Sequence, residues 1–260
     1  MKSGQTCSAT LKRAGTCALL LAVLGIELCG CNQAHGRPGP GVDPVQAGDF
    51  RSLFRENCAG CHGVNGKNGA AFALANPVYI AWAGEDQLRS AITNGSASKL
   101  MPPFAKSTGG MLTDREVSEL VNGIKASWGS PNALSSVSPP TYKGTLSGDP
   151  QRGLTAYTVF CARCHGAAGE GGPADGKNIP GKTGPGKSGW LGSIVDPSYL
   201  ALISDQSLRS LIVAGLPDGV MPDWRSDGPQ PMSDQQVTDV VAWMASKRVA
   251  APGQPYPTRP

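Results

Sequence analysis

Two stretches of the chain place apolar residues at helical spacing behind a capping sequence. In "LTDREVSELVNGIKASW", Thr113 is followed three positions later by Glu116, and in "MSDQQVTDVVAWMASKR", Ser233 is followed by Gln236. This arrangement is typical of a capping box at a helix N-terminus. The apolar positions that follow are those of helices with one buried face: Val117, Leu120, Val121, Ile124 and Trp128, then Val237, Val240, Val241 and Met244.

The same pattern predicts shorter helices elsewhere and no strands. We expect helices just before residues 58 and 161 and over 85–94 and 205–214, the last two ending at left-handed caps on Gly95 and Gly215. No alternation of apolar and polar residues is long enough to predict a strand. With 35 Gly and 22 Pro in 260 residues, loops must join the helices. The predicted fold class is all-α.

An internal repeat divides the chain into two modules. "FRENCAGCHG" begins at Phe54 and "YTVFCARCHG" at Tyr157, 103 residues later. Further along, "LRSAITNG" and "LRSLIVAG" are 120 residues apart, and the same offset places Met101-Pro102 on Met221-Pro222. The second copy therefore carries about 17 extra residues. They fall in a Gly/Pro/Lys-rich segment after the second CxxCH, which we expect to be an exposed loop.

The N-terminus has the layout of an export signal. Lys2, Lys12 and Arg13 precede an apolar run over 17–26, which is too short to span a bilayer as a helix. The following Leu-Cys-Gly-Cys resembles a bacterial lipoprotein box. That resemblance implies cleavage before Cys31 and an acyl anchor on this cysteine, outside the cytoplasmic membrane. The alternative is ordinary cleavage near Ala34 and release of a soluble protein.

Composition shifts set the expected boundaries. They are a signal peptide at 1–30, a flexible tether at 31–47, a first domain at 48–128, a flexible linker at 129–147, a second domain at 148–248 and a disordered tail at 249–260. The formal net charge is +4 and falls to about +2 once residues 1–30 are removed. Such a weak charge argues against nucleic acid as a partner.

Four cysteines remain after the signal and the lipoprotein box. They form two C-x-x-C-H motifs, and these comprise Cys58, Cys61 and His62, then Cys161, Cys164 and His165. The motif is the attachment signature of a c-type haem, with both cysteines bonded to the porphyrin and the histidine below the iron. A zinc site would need another Cys or His cluster. A disulfide pair would leave both histidines without a role.

The sixth iron ligand follows by elimination. The remaining histidine, His35, lies in the tether and cannot serve two irons. Met101 and Met221 share a Gly-x5-Met-Pro context on proline-stiffened loops, so we expect them to be the ligands. His/Met ligation leaves no open position on the iron, which suits electron transfer. The other methionines after the signal are assigned to packing, namely Met111, Met232 and Met244.

With an aromatic residue four positions ahead of each motif, both modules resemble the class I cytochrome c family. The resemblance implies that the first and last helices of each module cross closely. A family glycine at the crossing is matched by Gly153 but replaced by Phe50 in the first module. A family proline supplies a carbonyl to the proximal histidine. Pro180 or Pro185 fits that role in the second module, whereas the partner of His62 stays unassigned.

The expected function is that of a dihaem c-type cytochrome, with two covalent haem c groups. It would carry single electrons between a protein donor and a protein acceptor outside the cytoplasmic membrane. One alternative is a subunit of a respiratory or dehydrogenase complex. Another is a dihaem enzyme, such as a peroxidase or a sulfur-compound dehydrogenase, which would need an open iron position and acid–base groups. The repeated Arg89 and Arg209 either pair with haem propionates or occupy ordinary surface positions.

Overall fold

The computed structural model describes residues 49–134, 137–174, 189–216, 221–225 and 230–250. Four predicted segments lie wholly or mostly outside these ranges. They are the signal peptide, the tether with Cys31, the tail from residue 251 and most of the inserted segment of the second module.

The elements of the first module are four α-helices and a short 3₁₀ turn. They are α1 (Phe50–Asn57), α2 (Ala59–His62), α3 (Pro77–Asn94), the 3₁₀ turn Lys106–Thr108 and α4 (Asp114–Trp128). The second module has α5 (Pro150–Phe160), α6 (Ala162–His165), β1 (Gly172–Ala174), β2 (Gly189–Leu191), α7 (Pro197–Leu202), α8 (Asp205–Ala214) and α9 (Asp234–Ala245).

Both terminal helices begin as the sequence predicts. The Thr113 hydroxyl accepts from the Glu116 backbone N–H at 3.3 Å, and the Glu116 carboxylate accepts from the Thr113 N–H at 2.8 Å. Ser233 and Gln236 form the same reciprocal pair in the second module. The predicted apolar stripes of α4 and α9 are buried, except that Trp128 is half-buried. Both capping boxes and both buried faces are therefore confirmed.

Helix α3 is longer than predicted because two helical segments join across a kink. Asn76 caps its N-terminus and Pro77 occupies the first turn, where a missing N–H costs nothing. Gly84 interrupts the helix with φ 70° and ψ 174°, so the predicted 85–94 segment is its second half. In the second module the equivalent segments are the separate helices α7 and α8.

The second module also contains a two-stranded antiparallel sheet that the sequence pattern did not predict. Gly172 pairs with Leu191, and Ala174 pairs with Gly189. Three-residue strands are too short to produce an alternating pattern. The paired strands flank the inserted segment, and they bring its two ends together beside the CxxCH helix.

The first and last helices cross closely in both modules, with opposite distributions of side-chain size. Gly153 of α5 lies against the backbone of α9 at Asp239, where a Cβ would clash. In the first module the small residue is on the other helix, because Gly123 of α4 faces the ring of Phe50. The replacement of the family glycine by Phe50 is thus accommodated at position 123.

The 129–147 linker, expected to be a flexible connection, contacts both modules in the part that is described. The Trp82 indole donates to the Pro140 carbonyl at 2.6 Å, and its ring lies 4.8 Å from that of Tyr142. On the other side, Gln206 donates to the Tyr142 carbonyl at 3.0 Å. These contacts hold the linker between the modules.

Membrane-spanning helices were sought among the described residues. In that part of the chain, no helix combines the length and the apolar composition needed to cross a bilayer.

Candidate functional site

The two CxxCH motifs occupy a tight turn between two helices. Helix α1 is capped at Cys58 and α5 at Cys161, and a one-turn helix ending at the histidine follows each cap. The His62 N–H donates to the Cys58 carbonyl at 2.9 Å, and the His165 N–H donates to Cys161 at 3.0 Å. Each turn therefore holds two cysteines and one histidine within a single helical turn of one another.

Among the described residues, the four cysteines of the two motifs form no disulfide. Cys61 is exposed, whereas the other three are half-buried. Burial, with a smaller contribution from the neighbouring Cys61, raises the pKa of the Cys58 thiol to about 11. Across the described ranges, no group of three or more His, Cys, Asp or Glu side chains is arranged to hold a metal ion.

The ring of His62 is oriented by a backbone carbonyl. Its Nδ1 lies 2.7 Å from the Phe72 carbonyl oxygen. A carbonyl can only accept, so Nδ1 carries the proton and Nε2 keeps a lone pair for a metal. Burial lowers the pKa of His62, and the Phe72 hydrogen bond opposes that shift. Phe72 was not identified from sequence because any residue can offer a backbone carbonyl and the family proline is missing.

The second histidine is also held in a partly buried position. Burial lowers the pKa of His165, and its Nδ1 is buried without a hydrogen-bond partner among the described residues. The two candidates for that partner, Pro180 and Pro185, lie outside the described ranges.

The two predicted ligand methionines follow equivalent glycine turns. The Met101 carbonyl accepts from Ser96 N–H and the Met221 carbonyl accepts from Leu216 N–H, both at 2.9 Å. Gly95 and Gly215 have φ of 74° and 64° with ψ of −169° and −165°. The positive φ agrees with the prediction, but the extended ψ shows that neither is a left-handed cap. A Cβ on either glycine would clash with the backbone of the methionine and the following proline.

In the second module the structure brings the predicted site residues together around one cleft. It is an open cleft of about 500 Å³, lined by both thiols, His165 and Met221. Its other walls are mostly apolar and comprise Phe160, Ile212, Pro222, Asp223, Trp224 and Met232.

Trp224 is a residue of this cleft that the sequence reasoning did not select. It is 2% exposed, and its indole N–H is buried without a partner among the described residues. A buried donor of this kind needs an acceptor, and haem carries two carboxylates. The residues present thus fit a covalently attached haem. The sequence does contain a signal for this position, because an aromatic residue, Phe104 or Trp224, lies three positions after each predicted ligand methionine.

In the first module the corresponding residues pack against its core. Met101, Cys58, Phe72 and Phe104 are all half-buried and lie against buried core side chains. Phe104 stands where the second module has Trp224, so this position has no side-chain hydrogen-bond donor.

The three methionines assigned to packing divide into two groups. Met232 and Met244 are 6% and 4% exposed, as packing requires. Met111 is 76% exposed, so its assignment to packing is wrong. The residue that packs before α4 is Leu112, which is equivalent to Met232 and 5% exposed.

The repeated arginines hold helices together. Arg209 is 3% exposed and binds Asp234, the Thr141 carbonyl and the Thr238 hydroxyl. Arg89 binds Glu85 at 3.2 Å and Ser118 at 2.9 Å. These contacts join α8 to the start of α9 and α3 to α4.

Known families match both modules. Residues 45–122 match the family model described as cytochrome c oxidase, cbb3-type, subunit III, and residues 150–247 match the model described as cytochrome c.

Two curated relatives are both named cbb3-type cytochrome c oxidase subunit CcoP. The protein from Azospirillum sp. (strain B510) is 27% identical over 186 residues, which cover 67% of this chain and 54% of the relative. The protein from Rubrivivax gelatinosus is 28% identical over 136 residues, which cover 52% and 39% respectively. The chain thus spans about half of the first relative and less of the second.

A solved structure from the Kuenenia stuttgartiensis reducing HAO-like protein complex covers 77% of this chain and 96% of its own, at 15% identity and a TM-score of 0.39. This structural similarity is too low to carry an argument.

Proposed function

We propose that this chain is an electron-transfer protein with two class I cytochrome c domains, and that it binds two covalent haem c groups with His/Met ligation. Cys58 and Cys61 would hold the first haem, and Cys161 and Cys164 the second. His62 with Met101 and His165 with Met221 would be the axial ligands. The observation that carries this proposal is the cleft of the second module, which is lined by Cys161, Cys164, His165 and Met221.

Each residue has a defined task in this proposal. Haem c, when bound, supplies an iron that cycles between Fe(II) and Fe(III). The Phe72 carbonyl holds His62 in the tautomer that presents Nε2 to a metal. The glycine turns fix the methionine backbones, and the cleft of the second module offers mostly apolar walls to the haem. A thioether ligand in an apolar site raises the reduction potential.

The test of this proposal replaces each methionine by histidine in the holoprotein, so that both irons stay six-coordinate. We expect Met101→His and Met221→His each to remove about half of the far-red sulfur-to-iron band and to lower one midpoint potential. The double variant should lose the band completely. A band unchanged by Met221→His would contradict the ligation of the second haem. A high-spin haem in the wild type would favour the enzyme alternative.

The redox partners we propose are protein components of a respiratory chain outside the cytoplasm. The match of residues 45–122 to a cbb3-type oxidase subunit III model supports the role of a complex subunit. Solubilisation of native membranes with a mild detergent tests this role. Comigration with a larger haem-containing complex is expected for a subunit. Migration of the free chain would instead indicate a diffusing carrier.

The membrane attachment we propose is an acyl anchor on Cys31, supported by the lipoprotein-type sequence that ends there. Replacement of Cys31 by Ala should move the protein from the membrane fraction to another fraction or leave the signal peptide uncleaved. An unchanged membrane-bound, processed form would contradict the anchor.

A further inference from the structure

Asn76 of the first module binds the second module through its side-chain amide. It is 3% exposed, and its Nδ2 donates to the carbonyls of Ala214 and Gly215 at 3.1 and 3.2 Å. Its Oδ1 accepts from the Tyr79 N–H at 3.1 Å, which caps α3. One buried side chain therefore caps a helix of the first module and satisfies two backbone carbonyls of the second.

Those two carbonyls lie where the second methionine loop begins. Ala214 is the last residue of α8 and Gly215 is its cap, so both belong to a helix end whose carbonyls lack helical partners. The next residue, Leu216, donates its N–H to the Met221 carbonyl at 2.9 Å. Gly215 itself lies so close to the Met221 and Pro222 backbone that a Cβ would not fit. A shift of Gly215 would therefore be transmitted to Met221.

The equivalent cap in the second module lacks this second task. Asp196 is exposed, and its carboxylate accepts from Ser198 and Tyr199 N–H at 2.8 and 3.0 Å. A carboxylate can cap a helix as well as an amide can, but it cannot donate to carbonyls. The amide at position 76 is thus explained by the contact with Ala214 and Gly215.

We propose that Asn76 is a positioning residue for the second iron, holding the Met221 loop of the other module in its ligating conformation. This inference rests on the proposed ligation by Met221. The first module thereby sets how readily the second iron exchanges its methionine. Electron affinity and ligand exchange in the second module then depend on its docking against the first.

The experiment uses the full-length holoprotein with Met101→His in every sample, so that the far-red band reports Met221 alone. Asn76→Ser keeps a capping oxygen and removes the two amide donors. Imidazole is added in increasing concentration, and its binding is measured by the loss of the far-red band. We expect about tenfold tighter apparent imidazole binding in Asn76→Ser, corresponding to the loss of a pair of buried hydrogen bonds. In Asn76→Asp, a second variant that keeps a strong helix cap, the apparent affinity for imidazole should also increase.

Two control variants separate positioning from general loosening. Asp196→Asn alters the equivalent cap, and Trp82→Phe removes the 2.6 Å hydrogen bond to the Pro140 carbonyl in the linker. Neither should change imidazole binding by more than about twofold. An equal effect of Trp82→Phe would overturn the positioning role, as would an unchanged affinity in both Asn76 variants.

The proposed ligation has its own readout. If Met221→His in the same background leaves the band in place, the ligation is wrong. If Met221→His removes the band while the Asn76 variants match their parent, only the positioning role of Asn76 is wrong.

Discussion

The ring of Phe50 lies over Gly123, and the equivalent pair in the second module has the sizes exchanged. Gly153 corresponds to Phe50 and Trp243 to Gly123 in the internal repeat. A Cβ on Gly123 would clash with the Phe50 ring and its Cβ, and a Cβ on Gly153 would clash with the Asp239 backbone and approach Trp243. Each helix crossing thus combines one large residue with one glycine.

In both modules a tryptophan of the last helix packs against the same pair of repeat positions, although the two tryptophans are not at corresponding positions of that helix. Trp128 packs 5.0 Å from the Phe54 ring and contacts Gly66. Trp243 packs 4.2 Å from the Tyr157 ring and lies near Gly169. Phe54 and Gly66 correspond to Tyr157 and Gly169, so the space is kept while the residue that fills it has moved along the helix.

Because Phe50 and Gly123 are paired at the helix crossing, the effect of Gly123→Ala on the free energy of unfolding should change sign when Phe50 is shortened. Gly123→Ala should lower the free energy of unfolding by about 1–2 kcal/mol, because overpacking outweighs the gain of about 1 kcal/mol in helix propensity. In a Phe50→Ala background the same change should be stabilising. Urea unfolding of the four holoproteins measures both values. Asn122→Ala, an exposed neighbour, is the control and should stay within about 0.5 kcal/mol. Equal effects of Gly123→Ala in both backgrounds would contradict the pairing.

Asp239 predicts a pH dependence of stability in the second module. Its carboxylate is 2% exposed and accepts from Arg152 at 2.9 and 3.0 Å, from the Asp149 N–H and from Gln235. Burial alone would raise the pKa of Asp239, but these donors lower it below its ordinary value. A lowered pKa stabilises the fold above the ordinary aspartate pKa of about 3.9, and that stability is lost as pH falls through the folded pKa.

Asp239→Asn should therefore cost about 1–3 kcal/mol at pH 7 and progressively less below about pH 4. Chemical unfolding at several pH values measures the difference. The matched control is Glu119→Gln at the equivalent, exposed position of the first module, which should change stability by less than about 0.5 kcal/mol. A difference that stays constant down to pH 2 would show that the charge of Asp239 is not involved.

The glycine turns predict haem-specific effects. Gly95→Ala and Gly215→Ala should each weaken the far-red band of their own haem, since a Cβ there clashes with the methionine carbonyl and the positive φ costs about 1–3 kcal/mol. Optical spectra in Met221→His and Met101→His backgrounds identify the haem affected. Gly192→Ala, which meets open space, is the control. Loss of the band from the wrong haem would contradict the assignment of these turns.

The indole N–H of Trp224, which has no partner among the described residues, predicts unequal reduction potentials for the two haems. A donor to a haem carboxylate offsets its negative charge, so Trp224→Phe should stabilise Fe(III) and lower one midpoint potential by roughly 30 mV, about half the 59 mV of a tenfold change. Spectroelectrochemical titration measures this shift, and haem content shows that attachment is intact. Phe104→Trp offers the reciprocal change in the first module. An unchanged potential in Trp224→Phe would show that the indole does not contact the haem.

The features of this protein that depend on local spacing could be predicted from its amino-acid sequence. Each of these features depends on residues that are close together in the chain. They are the capping boxes, the buried stripes of α4 and α9, the 205–214 helix, and the repeated CxxCH and Gly-x5-Met-Pro contexts. The haem-type chemistry follows from the same spacing, because two thiols and an imidazole one turn apart face one edge of a ligand.

Contacts between residues that are distant in the chain became visible in the folded structure alone. No local sequence pattern predicts the hydrogen bond from His62 to the Phe72 carbonyl or the exchange of sizes at Phe50 and Gly123. The same holds for the burial of Trp224 and for the donation from Asn76 to the carbonyls of Ala214 and Gly215. A backbone carbonyl is the same in every residue, and complementary sizes at a helix crossing become recognisable only when both partners are known. For this reason the haem-binding motifs could be predicted from the sequence, whereas the distant residues that orient their side chains could not.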